Sequence, residues 1–218
     1  MSYSVKEAFK TLQGEGAQAG RAAVFCRFTG CNLWSGREAD RSDAVCQFCD
    51  TDFVGTDGSG GGKFGQAETL AAHLGALWGP DRAYRYVVFT GGEPLLQLDA
   101  PLIAAMKAEG FTIAVETNGS LPAPEGIDWI CVSPKAGAPF VQQRGHELKL
   151  IFPQTALTPE TFDGLDADAF SHYWLQPMDG LNDGGVMRSR HTAAAVAYCQ
   201  AHPRWRLSLQ THKMIGIP

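Results

Sequence analysis

Cys31, Cys46 and Cys49 are the residues of this 218-residue chain whose type and spacing most plainly imply chemistry. Soft thiolates select zinc, copper(I) or iron–sulfur clusters. A structural zinc site closes four ligands, commonly drawn from two C-x2-C pairs. Here one pair, Cys46-Gln-Phe-Cys49, follows a lone Cys31 after a gap of fourteen residues, and no nearby histidine completes a tetrad. Three thiolates are what a [4Fe–4S] cluster needs if one iron is to keep an open position. Such an iron could chelate the amino and carboxylate groups of S-adenosylmethionine (SAM) and pass an electron to its sulfonium. Spacing alone favours the cluster and leaves zinc and ordinary reduced thiols open. Cys26, Cys131 and Cys199 lie scattered in apolar surroundings and read as small buried hydrophobes.

A second element is Thr90-Gly-Gly-Glu-Pro94, directly after an apolar run. Paired glycines let a backbone approach a ligand closely, and Glu93 could accept from a ligand ammonium. Similar polar groups follow other apolar runs: Glu116-Thr-Asn118, Ser133-Pro-Lys135, Gln176-Pro-Met-Asp179 and Gln210-Thr-His212-Lys213. Each alone fits a turn or cap. Together they suggest a shared site at one end of a parallel sheet, where α/β folds bind ligands.

The elements that must carry these groups are short strands alternating with helical patterns. Residues 22–28, 86–89, 112–115, 129–132, 148–151, 172–175 and 206–209 read as strands. Residues 67–78 have helical spacing at Leu70, Leu74 and Leu77 and stop before Gly79-Pro80; 101–109 and 186–201 are further helices, and another is expected after Thr158-Pro159. The glycine-dense stretch Gly55 to Gly65 reads as a flexible surface loop. Strand–helix alternation favours a parallel sheet with helical crossovers. The connections after Val115 and Val132 are too short for full helices, and a complete eight-fold barrel needs ~250 residues. An incomplete barrel of about six strands fits best.

With 44% hydrophobic residues the chain suits one sizeable core. Its net charge of −5 argues against direct action on nucleic acid. No apolar run reaches the ~18 residues of a membrane span, and residues 1–7 lack a signal-peptide pattern. The expected compartment is the cytoplasm, where thiols stay reduced.

With the triplet and the Gly-Gly-Glu turn in place, the chain resembles the radical SAM superfamily. It departs from that superfamily's C-x3-C-x2-C motif by eleven additional residues between the first two cysteines. Within the superfamily it is similar nearly end to end to the 7-carboxy-7-deazaguanine synthase family, on Leu12-Gln-Gly-Glu-Gly16, Val24 to Phe28, Gly30 to Trp34, Cys46 to Phe53, Thr90 to Leu95, Glu116 to Gly119, Val132 to Lys135, Glu147 to Lys149, Leu175 to Asp179 and Leu209 to Lys213. The resemblance implies an incomplete (β6/α3)-type TIM-like barrel over residues 1–218, with a cluster-binding loop insertion at about 31–65, in a homodimer. It implies conversion of 6-carboxy-5,6,7,8-tetrahydropterin to 7-carboxy-7-deazaguanine with loss of ammonia, beginning with removal of a hydrogen from C6 by a SAM-derived radical. A flavodoxin-type protein would donate the electron.

Carried over by position, Cys31, Cys46 and Cys49 would ligate the cluster. Phe48, Cys49, Asp50, Gly92, Glu93, Asn118, Ser133, Pro134, Lys135, Gln176, Pro177, Met178 and Asp179 would surround SAM. Leu12, Gln13, Gly14, Arg27 and Thr90 would hold the pterin, and Thr51 would ligate Mg2+. Arg27 suits a substrate carboxylate because its planar fork matches two oxygens; a surface arginine at a strand edge is the plain alternative. Thr51 offers a neutral oxygen to a hard cation that keeps most of its waters. Asp50 and Asp52 beside it fit a solvated loop equally well. Glu15, between glycines, could meet the pterin's guanidine-like edge, with Glu116 and His212 near the reaction. Pro218 follows His212 closely, and its terminal carboxylate is expected to fold back onto the substrate. Two other readings stand beside this one: a glycyl-radical activase and a zinc-stabilised binding module without catalysis.

Overall fold

A computed structural model describes residues 2–179 and 186–218. They form one nine-stranded sheet, ordered β3-β1-β2-β4-β5-β6-β7-β8-β9. The strands are β1 (Tyr3–Leu12), β2 (Ala22–Phe28), β3 (Gly62–Phe64), β4 (Tyr86–Gly91), β5 (Thr112–Thr117), β6 (Trp129–Val132), β7 (Gly145–Phe152), β8 (Phe170–Pro177) and β9 (Trp205–Leu207). From β2 to β9 every neighbour pair is parallel; β1 and β3 are antiparallel additions at one edge. The sheet does not close, so the expected partial barrel stands, with seven parallel strands in place of six and an antiparallel pair flanking them.

The helices are α1 (Ala67–Trp78), α2 (Ala100–Ala108), α3 (Val186–Ala201) and the short α4 (Thr211–Ile215). α1 ends where Gly79 takes φ 107° and its N–H bonds back to Gly75 O, a conformation cheap only for glycine. α2 begins at Asp99, whose side chain accepts from Leu102 N. The connections after β5 and β6 carry no helix. After Thr158-Pro159 only a single 3-10 turn forms, over Pro159–Phe162, and not the expected helix. Its Phe162 is buried against Phe140 and Trp205, so one turn is enough to cap that end of the core.

Period-two alternation sorts each strand's residues between two faces. Val24, Cys26, Phe28, Val87, Phe89, Ile113 and Val115 pack with α1 and α2 in the main core. Leu148, Leu150 and Leu175 pack with Ala195 of α3 in a second. The alternate residues Ala23, Tyr86, Val88 and Ala114 form a separate cluster on the other face. Arg27, Thr90, Glu116, Lys149 and Gln176 continue that second face toward the strand ends, so the same alternation that fills the core lines the cavity.

The glycine-dense stretch is not a loose loop. Gly58 N donates to Lys6 O at 2.9 Å, Ala8 N donates to Ser59 O at 2.8 Å, and Gly62–Phe64 becomes β3 against β1. A Cβ on Gly60 would lie 2.3 Å from Ala8 O. The glycines are there because a strap lies flat on a strand, leaving no room for side chains. No described helix is long and apolar enough to cross a membrane.

Candidate active site

The face opposite α1 and α2 encloses a cavity of about 400 Å3, within the range of small-molecule sites. The β1–β2 connection contributes to its lining and bonds across to distant strands of the sheet. Gly16 N donates to Ser208 Oγ at 3.0 Å and Ala17 N to Glu147 Oε2 at 2.9 Å, fixing this connection to β9 and β7. Gln13, Gly14 and Glu15 thereby enter the cavity wall.

There they meet a buried charge network. Lys149 Nζ donates to Glu15 Oε2 at 2.6 Å and to Glu116 Oε2 at 2.8 Å, with the lysine side chain only 5% exposed. Gln210 Nε2 donates to Glu15 Oε1 at 3.0 Å, and Gln13 Nε2 to Glu116 Oε1 at 3.3 Å. Burial works against the charged form of both acids. At Glu15 the Lys149 ammonium overrides it and holds the carboxyl at about 2. At Glu116 burial prevails, reinforced by the charges of Glu15 and Glu147, and the carboxyl titrates above its usual range. One cation between two carboxylates thus leaves an acid that binds a proton readily beside one that does not.

The cluster side is built from loops. Cys31, Cys46 and Cys49 all line the cavity. Burial pushes the Cys31 thiol up. The hydrogen bond between the other pair raises Cys46 and lowers Cys49 to about 6. Arg41, from the fourteen residues between Cys31 and Cys46, braces this loop: Nη1 donates to Gln47 O at 2.9 Å and Cys49 O at 3.0 Å, and the guanidinium lies 4.1 Å from the Trp34 ring centre. Trp34 meets Phe53 edge-on.

Gly92 shows why the turn after β4 needs glycine, since a Cβ there would lie 2.1 Å from Gly30 O and 2.6 Å from Cys31 Cβ. Glu93 and Pro134 are the two expected site residues outside the cavity lining. The Glu93 carboxylate is fully buried, and accepts from Leu95 N at 3.0 Å, Thr117 Oγ1 at 2.8 Å and Asn118 N at 2.7 Å. It joins the ends of β4 and β5. Asn118 does line the cavity, with its side chain held by Asn32 and Ser120.

Leu12, Arg27, Phe48, Asp50, Thr51, Thr90, Ser133, Lys135, Gln176, Pro177, Met178, Asp179, His212 and Pro218 also line it. Burial lowers the Lys135 ammonium's pKa, and its Nζ donates to Ser133 Oγ at 2.8 Å. Burial likewise lowers His212, whose ring packs on Gly14 so closely that a Cβ there would lie 2.1 Å from Nδ1. Thr11 Oγ1 donates to Pro218 O at 2.8 Å, bringing that residue to the rim. Lys213 Nζ ties Asp50 at 2.7 Å to Asp179 at 2.9 Å, fastening α4 across the mouth.

Residue-level reasoning gives no role to Lys149, Glu7 or Lys6, all of which line the cavity, whereas Gln210 and Lys213 do fall at the shared site expected for their segment. The signal for Lys149 was a lysine between Leu148 and Leu150 in an otherwise buried strand. Among the described residues no three Cys, His, Asp or Glu side chains converge on a single metal ion. Three thiols facing one cavity, with backbone glycines alongside, do suit a cluster, which spreads its ligands wider than one ion.

The sequence profile of the radical SAM superfamily matches residues 41–149. Over its full length the chain is 68% identical to the 7-carboxy-7-deazaguanine synthase of Bordetella pertussis and 64% identical to that of Caulobacter vibrioides, each also covered in full. The synthase of that name from Synechocystis sp. is 32% identical over all of this chain and 94% of its own. Among solved structures, the crystal structure of QueE from Escherichia coli superposes with a TM-score of 0.70 at 27% identity, covering 96% of this chain and 94% of that one.

Proposed function

The chain belongs to the radical SAM superfamily and, within it, to the 7-carboxy-7-deazaguanine synthases, and from that premise we propose how its residues share out the reaction. The reaction converts 6-carboxy-5,6,7,8-tetrahydropterin to 7-carboxy-7-deazaguanine with loss of ammonia, on the route to queuosine and other deazapurines, using a [4Fe–4S] cluster and SAM. The observation that carries the residue assignment is the convergence of three thiols, Arg27 and the Glu15–Lys149–Glu116 network on one cavity.

Bound together, the cluster and SAM supply reductive cleavage of the sulfonium and a radical able to take a hydrogen atom. Cys31, Cys46 and Cys49 hold the cluster. Phe48 to Asp50, Gly92, Asn118, Ser133, Lys135 and Gln176 to Asp179 form the SAM wall, with Glu93 and Pro134 supporting it from outside the lining. Arg27 and Thr90 receive the pterin carboxylate, and Leu12 to Gly14, with Pro218 and His212, enclose the ring. Glu15, kept ionised by Lys149, accepts from the guanidine-like edge. Glu116 is the group suited to take up the proton lost on aromatisation, because a raised carboxyl pKa brings it nearer working pH.

Thr51 is the protein's oxygen for Mg2+. Its neighbours Asp50 and Asp52 are already paired with Lys213 and Lys6, which leaves the remaining positions to water and substrate. We further propose a flavodoxin-type electron donor, a homodimer and a cytoplasmic setting; the last is supported by six free cysteines. Substrate carrying deuterium at C6 tests the assignment. The conversion is redox-neutral, so the abstracted hydrogen is returned and label is expected at the 5′ carbon of recovered SAM and of any 5′-deoxyadenosine released; normal product with both unlabelled would refute the pterin placement.

A further inference from the structure

A polar row crosses three strands in register: Glu7 of β1 stands opposite Arg27 of β2, and Arg27 opposite Thr90 of β4. All three line the cavity, and so does Lys6. Consecutive residues of a regular strand point to opposite faces, so Lys6 and Glu7 need an interruption to share one. β1 has it. Val5 pairs with Phe28 and the next pair is Glu7 with Arg27, leaving Lys6 as an extra residue. The core records the same slip, taking Tyr3 and Val5 and then Ala8. Bulges of this kind re-aim side chains beside active sites.

The glycine strap clamps the bulge. Gly58 N donates to Lys6 O at 2.9 Å. A Cβ on Gly61 would lie 2.2 Å from Lys6 O, and one on Gly58 would lie 2.7 Å from both Lys6 O and Glu7 Cβ. On this fixed backbone Glu7 Oε1 accepts from Arg27 Nε at 2.7 Å, and the two side chains are only 27% and 20% exposed. That bond occupies the inner nitrogen of the guanidinium. Among the described residues neither terminal nitrogen has a protein partner, so the outer fork is left for two carboxylate oxygens.

We propose that Glu7 is the positioning residue that aims Arg27, and that the bulge and its glycine strap exist to hold it there. The consequence is discrimination in favour of a pterin carrying a 6-carboxylate over the same ring without one. The inference rests on the pterin reading above. Glu7 acts through Arg27 and need not touch the substrate.

Pterins fluoresce, so binding can be followed without turnover. The reconstituted protein, with SAM present, is titrated with 6-carboxypterin and with unsubstituted pterin. Wild type is expected to prefer 6-carboxypterin. Glu7→Ala should cut that preference roughly ten-fold, the scale of one charge-assisted hydrogen bond, with pterin affinity and iron content unchanged. Glu7→Gln, which still accepts from Nε, should keep most of the preference. Gly58→Ala removes no charge yet should lower the preference in the same direction as Glu7→Ala. An unchanged preference in Glu7→Ala and Gly58→Ala would overturn the proposal. So would an increased one, which would make Glu7 a competing anion. A wild-type protein indifferent to the carboxylate would instead sink the pterin reading, and the inference with it.

Discussion

The two halves of the cavity are built differently. The pterin half stands on strands: Arg27, Thr90, Glu116 and Lys149 come from four neighbouring or near-neighbouring strands of one sheet, and Arg27, Glu116 and Lys149 are held by other part-buried side chains. The cluster half stands on the loop between β2 and β3, held by backbone carbonyls, one arginine and aromatic contacts. A strand-borne pocket is ordered by the core beneath it, whereas a loop carrying three thiols is completed by the metal it binds. The contrast predicts that damage to one half should leave the other recognisable.

The largest effect belongs to the thiols. Cys31→Ala, Cys46→Ala or Cys49→Ala should abolish the cluster's visible absorbance and all turnover, while 6-carboxypterin still binds with wild-type affinity by fluorescence titration. Loss of pterin binding in all three variants would erase the distinction between the halves. Cys131→Ala, by contrast, should keep the cluster.

Next comes Lys149→Met, which leaves two carboxylates facing each other in a buried site. A loss of about 3–5 kcal/mol is expected in denaturant unfolding, together with loss of pterin binding. The pH dependence separates the two acids. Glu15, brought down to about 2 by Lys149 against the effect of burial, contributes stability that is full above its unfolded value and is lost as pH falls toward 2. Glu116, raised by burial, runs the other way, and its ionisation costs stability as pH rises through its raised pKa. Glu15→Gln should therefore destabilise at neutral pH and narrow the gap from wild type in acid. Glu116→Gln should match or exceed wild-type stability at neutral pH. Urea melts across pH values check both, and the reverse order would contradict the charge assignment.

A smaller loss is expected from Arg41→Ala, which removes the brace from Gln47 O and Cys49 O. Iron should be lost several-fold faster to a chelator, with global stability within about 1 kcal/mol of wild type, as for most single exposed contacts. The glycine strap supplies a contrast confined to stability. Gly61→Ala should cost roughly 1–3 kcal/mol through collision with Lys6 O, whereas Gly65→Ala, with nothing within 4 Å of a new Cβ, should change stability by less than about 0.5 kcal/mol. Thermal melts distinguish them.

The same division marks what was legible in the residues. The cluster half is legible once the Gly-Gly-Glu turn joins the three thiols, whose spacing alone leaves zinc and ordinary reduced cysteines open. The α1 helix was legible to its last residue, since Leu70 and Leu74 give its buried side and Gly79-Pro80 its stop. β1 was missed because its bulge breaks the alternation that marks a strand, placing Val5, Lys6 and Ala8 all out of solvent. The glycine stretch looked like slack chain because composition cannot show that a strand lies against it. Glu93 reads from its Gly-Gly-Glu turn as a ligand contact, and only the fold shows that its carboxylate also accepts from Leu95, Thr117 and Asn118. Lys149 lies in a strand whose neighbours are core, and nothing local says that two acids from distant segments will meet it.

One measurement bears most directly on the whole account: the products of 6-carboxy-5,6,7,8-tetrahydropterin incubated anaerobically with the reconstituted protein, SAM, Mg2+ and a reductant. Equal amounts of 7-carboxy-7-deazaguanine and ammonia are predicted. SAM cleavage with the cluster intact, but with neither product formed, would contradict it.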